Sequence, residues 1–294
     1  METVLPEAKF LSTANNVINS QSQDSLEYLK FCDFLEKISG ITLGKNKAYL
    51  VTNRLRSILE AHGIDTLSEA MNLIESGHSP KIKLDIVDAM TTNETSWFRD
   101  QYPFEYLHDV LLPKLVDQRM HTPRIWSAAC SYGHEAYSIS IIIEEYMMKN
   151  PGCFPNGIQI VGTDLSSKVL KSASTGEFDR LAIARGLSEE RKRKYFTQLP
   201  NEHYKLDQKI KSRVRFQSLN LLDSYLTLGK FDIIFCRNVL IYFSNENKAA
   251  IMNKFSQSLL KEGVLILGAS ETVSNYSNAF NMVSCPRGVV YSHH

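Results

Sequence analysis

From Leu26 onward, apolar residues recur with the period of a helix. Leu29, Cys32, Phe34, Leu35 and Ile38 keep that spacing, and Gly40 follows as a stop. Tyr49, Leu50, Leu55, Ile58 and Leu59 mark a second helix, ending near Gly63. Thr66-Leu67-Ser68-Glu69 has the form of a capping signal, and Ala70, Leu73 and Ile74 lie on the helix it opens. Ile82 to Met90 predicts another. Residues 25–90 therefore read as an all-helical unit. Residues 1–24 are polar and without period, as a loose tail would be.

Beyond Thr91 the period changes. Arg124 to Ala128, Ile158 to Gly162, Phe231 to Cys236 and Val264 to Gly268 are runs of strand length, with a shorter one at Val214 to Phe216. Helical stretches separate them: Glu135 to Met148, Ser166 to Ser174, and a long one from Asn245 to Lys261 stopped by Gly263. Phe280 to Ser284 and Val289 to Ser292, joined through Pro286-Arg287-Gly288, predict a closing hairpin. Such alternation implies a doubly wound α/β sheet over residues 91–294, with ligands at its carboxyl edge. Residues 177–217 are too long and too polar for one crossover and read as a small inserted β-subdomain. In it we expect a charged helix at Ser188 to Tyr195, and strands around Tyr204 to Ile210 and Val214 to Phe216 that pair with each other.

Composition narrows the classes of function. The 294 residues carry 33 basic and 32 acidic side chains, a formal net charge of +1, which gives no global attraction to nucleic acid or an anionic membrane. Five cysteines lie far apart with no CxxC pair, and the histidines lack ligand spacing, so neither a disulfide framework nor a metal site is expected. No signal segment opens the chain and no apolar run is long enough to cross a bilayer. The expectation is a cytoplasmic monomer.

A nucleotide-type cofactor at such an edge needs a close-approach turn after the first strand and an acceptor for the ribose diol after the second. The first turn, Ala128-Ala129-Cys130-Ser131-Tyr132-Gly133-His134-Glu135, has one glycine and lacks the GxGxxG that cradles a pyrophosphate. Asp164, ending the second strand, suits either a ribose diol or the N-cap of the next helix. Together, the phosphate-free turn and this acid favour S-adenosylmethionine over a dinucleotide. After the next strand, Arg237 and Tyr242 offer donors for an anionic substrate, or else an internal ion pair and a core aromatic.

Thr91-Thr92-Asn93-Glu94-Thr95 through Phe98-Arg99, Trp126-Ser127-Ala128-Ala129 with Gly133 to Ser138, and Cys236-Arg237-Asn238-Val239-Leu240-Ile241-Tyr242-Phe243 together resemble the CheR family of chemotaxis receptor methyltransferases. Asn220-Leu221-Leu222 and Gly268-Ala269-Ser270-Glu271 add weaker matches, and the likeness runs from about residue 28 to the end. The family usually has Gly-Glu-Glu-Pro-Tyr-Ser where this chain has Gly133-His134-Glu135-Ala136-Tyr137-Ser138. The resemblance implies an all-helical N-terminal domain and a class I (Rossmann-like) methyltransferase domain. It also implies transfer of a methyl group from S-adenosyl-L-methionine to receptor glutamate side chains. It places cofactor contacts on Asn93, Thr95, Arg99, Glu135, Asp164, Asn220, Leu221, Arg237 and Asn238, and catalysis on Arg99 and Tyr242.

Two rivals share the fold: a methyltransferase for RNA or a small molecule, and a binding module without turnover. The first would want stacking aromatics in a basic groove or acceptors for an amine, and neither is found. Retention of Arg99 and Tyr242 argues against the second. For partners, Lys45, Lys47, Arg54 and Arg56 form a basic run with no acid between them, ordinarily a solvated helix face. In the family the corresponding helix is thought to face the acidic methylation helices of the receptor. Lys205, Lys209, Lys211, Arg213 and Arg215 give the insert a second basic set. Some family members use the insert to grip the receptor's extreme C-terminus as an added strand. The matching loop here, Thr197 to Tyr204, is a few residues shorter, has no glycine for a left-handed hairpin position and loses a backbone donor at Pro200, so a tether is not expected.

Overall fold

The computed structural model describes residues 26–44, 46–118 and 122–294, so the expected tail at 1–24 and Lys45 lie outside the described residues. The chain divides into two compact units, Met1–Met90 and Thr91–His294.

In the first unit, α1 (26–39), α2 (Ala48–His62), α3 (Leu67–Glu75) and α4 (Pro80–Met90) bury Phe31, Leu35, Leu55, Ile82 and Ile86 in one core. Thr66 caps α3 by accepting from the Glu69 amide, while the Glu69 carboxylate accepts from the Asp65 amide. Gly63 ends α2 at φ 66, the left-handed conformation that suits glycine. Two residues expected on apolar faces point outward: Leu29 is 44% and Tyr49 67% exposed. Arg54 is half-buried and donates to the Ala89 and Met90 carbonyls at 3.3 and 3.1 Å, capping the C-terminus of α4. It is thus more than a solvated charge.

In the second unit, α5 (Tyr102–Tyr106) runs through a π-turn (Leu107–Leu111) into α6 (Leu112–Asp117). There follow β1 (Arg124–Ala128), α7 (His134–Lys149), β2 (Gln159–Asp164) and α8 (Ser167–Thr175). The insert holds β3 (Glu177–Phe178), α9 (Arg180–Ala184), α10 (Glu189–Tyr195), β4 (Phe196–Gln198), β5 (Tyr204–Leu206) and α11 (Gln208–Lys211). The chain closes with β6 (Val214–Ser218), β7 (Phe231–Cys236), α12 (Asn245–Ser258), β8 (Leu259–Leu267), β9 (Phe280–Cys285) and β10 (Gly288–His293).

The seven-stranded sheet has the order β6-β2-β1-β7-β8-β10-β9, parallel from β6 to β8 and antiparallel at the β10–β9 end. Its central strands are buried on both faces. Ile125, Ile160 and Ile233 face one core with α7, while Trp126, Val161 and Ile234 face the other with α12. That is why these strands read as nearly unbroken apolar runs. From β1 the chain steps outward to β2 and β6, then returns to β7 on the other side of β1. The strand order therefore reverses beside β1, and a crevice at the carboxyl ends of β1, β2 and β7 is the expected ligand position. No helix among the described residues is long and apolar enough to cross a membrane.

Three expectations are corrected. Val214 to Phe216 does not pair within the insert. It belongs to β6 and runs parallel to β2, with Ile160 opposite Val214, and the small sheet is instead β3-β5-β4. The helix expected to reach Lys261 stops at Ser258, because Leu259 pairs with Phe231 and residues 260–263 bulge out opposite Asp232. The loop lacking glycine still makes its hairpin: Asn201 and Glu202 take φ 65 and 56, and the Leu199 amide donates to the His203 carbonyl at 2.7 Å. The glycine argument against a tether therefore falls.

The basic set of the insert is largely engaged. Lys209 meets Glu144 of α7 at 2.5 Å, and Arg213 binds the same carboxylate. Lys205 pairs with Glu177 at 3.7 Å, and Lys211 donates to the Thr175 carbonyl at 3.0 Å. Arg191 makes a two-pronged bond to Glu145 at 2.9 and 2.7 Å. Lys209, Arg213 and Arg191 thus fasten the insert to α7, Lys211 ties it to the end of α8, and Lys205 pairs within it.

Candidate active site

The turn after β1 holds its own amides. Cys130 donates to the Thr163 carbonyl, Ser131 to the Asp164 carboxylate at 2.8 Å, and Gly133 to the Cys130 carbonyl. Ala129, Ser131 and Gly133 all have positive φ, at 61, 51 and 82. Two of these are not glycine, a conformation costing roughly 1–2 kcal/mol each, and the turn persists because its amides are fixed from β2. These three amides are bonded inside the protein and are not available to a phosphate.

Asp164 is buried and bridges two elements: one oxygen accepts from Ser131 and the other from the Ser166 amide at 2.9 Å. The N-cap of α8 is Ser166, whose hydroxyl accepts from Val169, so Asp164 is not the cap itself. Asn220 and Leu221 follow β6 closely, the Leu219 amide donating to the Asp164 carbonyl at 3.0 Å. Lys254 of α12 donates to the carbonyls of Leu221, Leu222 and Asp223 and pins that loop.

Arg237, at the end of β7, is the buried centre of a charge cluster. Its side chain is 2% exposed and donates to Glu135 at 3.0 Å, to Asp100 at 2.6 Å and to the Arg99 carbonyl at 2.7 Å. The other Glu135 oxygen accepts from Ser127 at 2.7 Å. Burial pushes the Glu135 carboxyl above its ordinary value, although Arg237 and Ser127 both pull the other way. Arg237 was expected either to bind an anionic substrate or to pair internally. The structure shows internal pairing. Burial also raises the Cys130 and Cys236 thiols well above their usual range, which keeps both protonated.

The segment from Asn93 to Gln101 is joined to this cluster mainly through its main chain. Ser131 donates to the Asn93 carbonyl at 3.0 Å, and the Trp97 amide donates to Arg185 of the insert at 2.9 Å. Phe98, Asp100 and Gln101 take φ 48, 66 and 54, a tight path that swings the Asp100 carboxylate back to Arg237. Arg99 is half-buried, and its guanidinium donates to the Glu94 carbonyl at 3.3 Å on the exposed side. Asn93, Thr95, His134 and Arg185 help line an open cleft of about 450 Å³. His134 packs against Trp97 and Phe178, with ring centroids at 4.9 and 5.1 Å, and burial lowers its imidazole to about 4. It is a neutral ring at physiological pH.

Beyond Arg237, Asn238 takes φ 58 and Leu240–Tyr242 form a 3₁₀ turn in which Tyr242 is half-buried. Hydrogen bonds or the cleft thus connect Asn93, Thr95, Arg99, Glu135, Asp164 and Arg237 around the ends of β1, β2 and β7. Asn220, Leu221, Asn238 and Tyr242 lie on the loops that follow β6 and β7. Sequence reasoning missed Asp100, Ser127 and Ser131. The available signal was chemical: a fully buried arginine requires more than one acceptor nearby.

Comparison with known sequences covers both units. Residues 26–91 match the family described as CheR methyltransferase, all-alpha domain, and residues 93–289 match CheR methyltransferase, SAM binding domain. The chain is 47% identical over 274 residues to chemotaxis protein methyltransferase Cher2 of Pseudomonas putida, covering 92% of this chain and 98% of that protein. Identity and coverage are the same for chemotaxis protein methyltransferase 1 of Pseudomonas aeruginosa. For chemotaxis protein methyltransferase 1 of Vibrio cholerae identity is 44% over 265 residues, covering 90% of this chain and 96% of that protein.

Proposed function

The chain belongs to the CheR methyltransferase family, and we propose that it uses S-adenosylmethionine to esterify glutamate side chains of chemotaxis receptors, with Arg99 and Tyr242 orienting the acceptor carboxylate. The observation that carries this reading is the first turn. Its amides at Cys130, Ser131 and Gly133 are bonded within the protein, while the acids Asp164 and Glu135 stand at the same edge. A ligand with a ribose diol and an ammonium group but no phosphate fits that set. Asp164 would accept from the ribose hydroxyls. Glu135, Asn93, Thr95, Arg99, Asn220, Leu221 and Asn238 would provide the remaining contacts, with Arg237, whose guanidinium is enclosed, contributing through its main chain. When bound, S-adenosylmethionine supplies a methyl group on a sulfonium.

A glutamate carboxyl has a reference pKa of about 4.3, so near neutral pH it is already ionised and needs no general base. What remains for the protein is alignment, which can lower a barrier by roughly 7–11 kcal/mol. Arg99 and Tyr242 donate to the acceptor carboxylate and set its direction. Their grip must stay moderate, because an over-stabilised carboxylate is a poorer nucleophile. Arg237, enclosed by Glu135 and Asp100, maintains the shape of the edge.

On the receptor side, exposed Lys47 and Arg56 of the helical unit present positive charge to acidic methylation helices. The test is transfer of labelled methyl from S-adenosylmethionine to receptor-rich membranes, with release of the label as methanol in mild base. Label that survives base, or that enters RNA or small molecules instead, would overturn the reading.

A further inference from the structure

Asn238 and Tyr242 lie on the loop after β7, and that loop is held from outside itself. The Glu271 carboxylate accepts from three backbone amides: Asn238 and Gly268 on one oxygen and Leu240 on the other, each at 2.8 Å. Gly268 follows β8, the parallel neighbour of β7, with Cys236 opposite Leu267. One carboxylate thus staples the ends of two adjacent strands. The packing leaves no slack, since a Cβ on residue 268 would lie 2.6 Å from the Glu271 carboxylate and 2.9 Å from the Asn238 amide.

We propose that Glu271 is a positioning residue for methyl transfer, fixing the Asn238 to Tyr242 loop and through it the Tyr242 hydroxyl. The inference rests on the role assigned to Tyr242 above. Leu240 opens the 3₁₀ turn that Tyr242 closes, with the Tyr242 amide donating to the Val239 carbonyl at 3.1 Å. Asn238 holds a positive φ that a non-glycine residue keeps only when its surroundings enforce it. Both oxygens of Glu271 are occupied by main-chain donors, so the residue acts through the loop. Glutamine cannot replace it, because one end of a carboxamide is a donor and would face an amide N–H. Aspartate is one methylene too short to reach both strands.

The experiment compares E271Q, Y242F and the double variant in methyl transfer to receptor-rich membranes, with kcat and the KM for S-adenosylmethionine measured separately. A misplacement of about 1 Å costs on the order of 10²-fold in turnover, and E271Q is expected to lose kcat on that scale with a smaller change in KM. Because both changes act on one hydroxyl, the double variant should be no slower than the slower single variant, within about threefold. Multiplying effects, or wild-type kcat in E271Q, would overturn the proposal. Normal turnover in Y242F would overturn the Tyr242 reading, and the proposal with it, and is recognisable from that single variant. Should E271Q fail to fold, G268A displaces the carboxylate while keeping every polar group. A folded G268A with normal kcat also overturns the proposal.

Discussion

Arg237 and Glu135 meet at 3.0 Å although 102 residues separate them in sequence, and the partly exposed Asp100 joins this buried pair from a third segment. Removing Arg237 strands the Glu135 carboxylate away from water, while Asp100 keeps its access to solvent. Arg237→Met is expected to lower unfolding free energy by roughly 3–5 kcal/mol, read from urea denaturation. Arg237→Lys should recover little of it, since one ammonium cannot reproduce a fork that reaches Glu135, Asp100 and the Arg99 carbonyl at once. A stability loss below about 1 kcal/mol in the methionine variant would show that the cluster is well hydrated.

Tyr242→Phe removes a hydroxyl and little else. Turnover should drop on the order of 10²-fold, while calorimetry finds S-adenosylmethionine affinity within a few-fold of the parent. Turnover near normal would leave Tyr242 with packing alone.

For Asp164 two effects must be separated, because its carboxylate also accepts from Ser131 and Ser166. Asp164→Ala should weaken S-adenosylmethionine binding sharply and cost roughly 1–3 kcal/mol of stability through the orphaned amides. Asp164→Asn retains one acceptor oxygen and should keep more of the stability while still binding the cofactor poorly. Unchanged affinity in both variants would remove Asp164 from the binding site.

The pH profile of stability should carry the mark of His134. Burial, with help from the Arg185 charge and against the pull of Asp179, lowers its imidazole from 6.5 to about 4. Between those values the unfolded chain binds a proton that the folded one refuses, so stability falls as pH drops through that window. From pH 7 to pH 5 the loss attributable to this group is about 2 kcal/mol. His134→Leu should flatten that part of the profile, and an unchanged slope in thermal melts would assign the loss to other groups.

Sequence patterning was most informative where burial is symmetrical. β1, β2 and β7 showed as apolar runs because both faces are covered. β3, β4 and β5, at two or three residues each, are too short to display a period. Strand identity is also not strand pairing: Val214 and Phe216 announce an extended segment, but only the fold shows that its neighbour is β2. The end of α12 was hidden because Leu259 suits a helix face as well as the strand it joins. At the site, matched residues were recognisable one by one. The enclosure of Arg237 was not, since Asp100 reaches it through a backbone path that no side-chain pattern encodes.

Charge reversal at Lys47 and Arg56 tests the receptor surface without touching the sheet unit. Changing both to glutamate should slow receptor methylation and flatten its dependence on ionic strength, with S-adenosylmethionine affinity unaltered. Equal methylation rates across a salt series would return these residues to an ordinary solvated face.

Asn93, Trp97 and Arg99 are tied to Ser131, Arg185 and Arg237 through a carbonyl, an amide and a carbonyl. An alanine scan of this stretch would leave all three of these ties intact, since every replacement keeps its peptide group. Deletion would behave differently. A polypeptide begun at Thr91 retains all three ties, whereas one begun at Asp100 removes one partner each from a serine hydroxyl, a carbonyl and a buried guanidinium in one step. These three ties are therefore indifferent to side chain and sensitive to length, whereas Trp97 and Phe98 also serve the core by their rings, so single-residue insertions, which shift the register of the peptide groups, are the changes that should break the ties themselves.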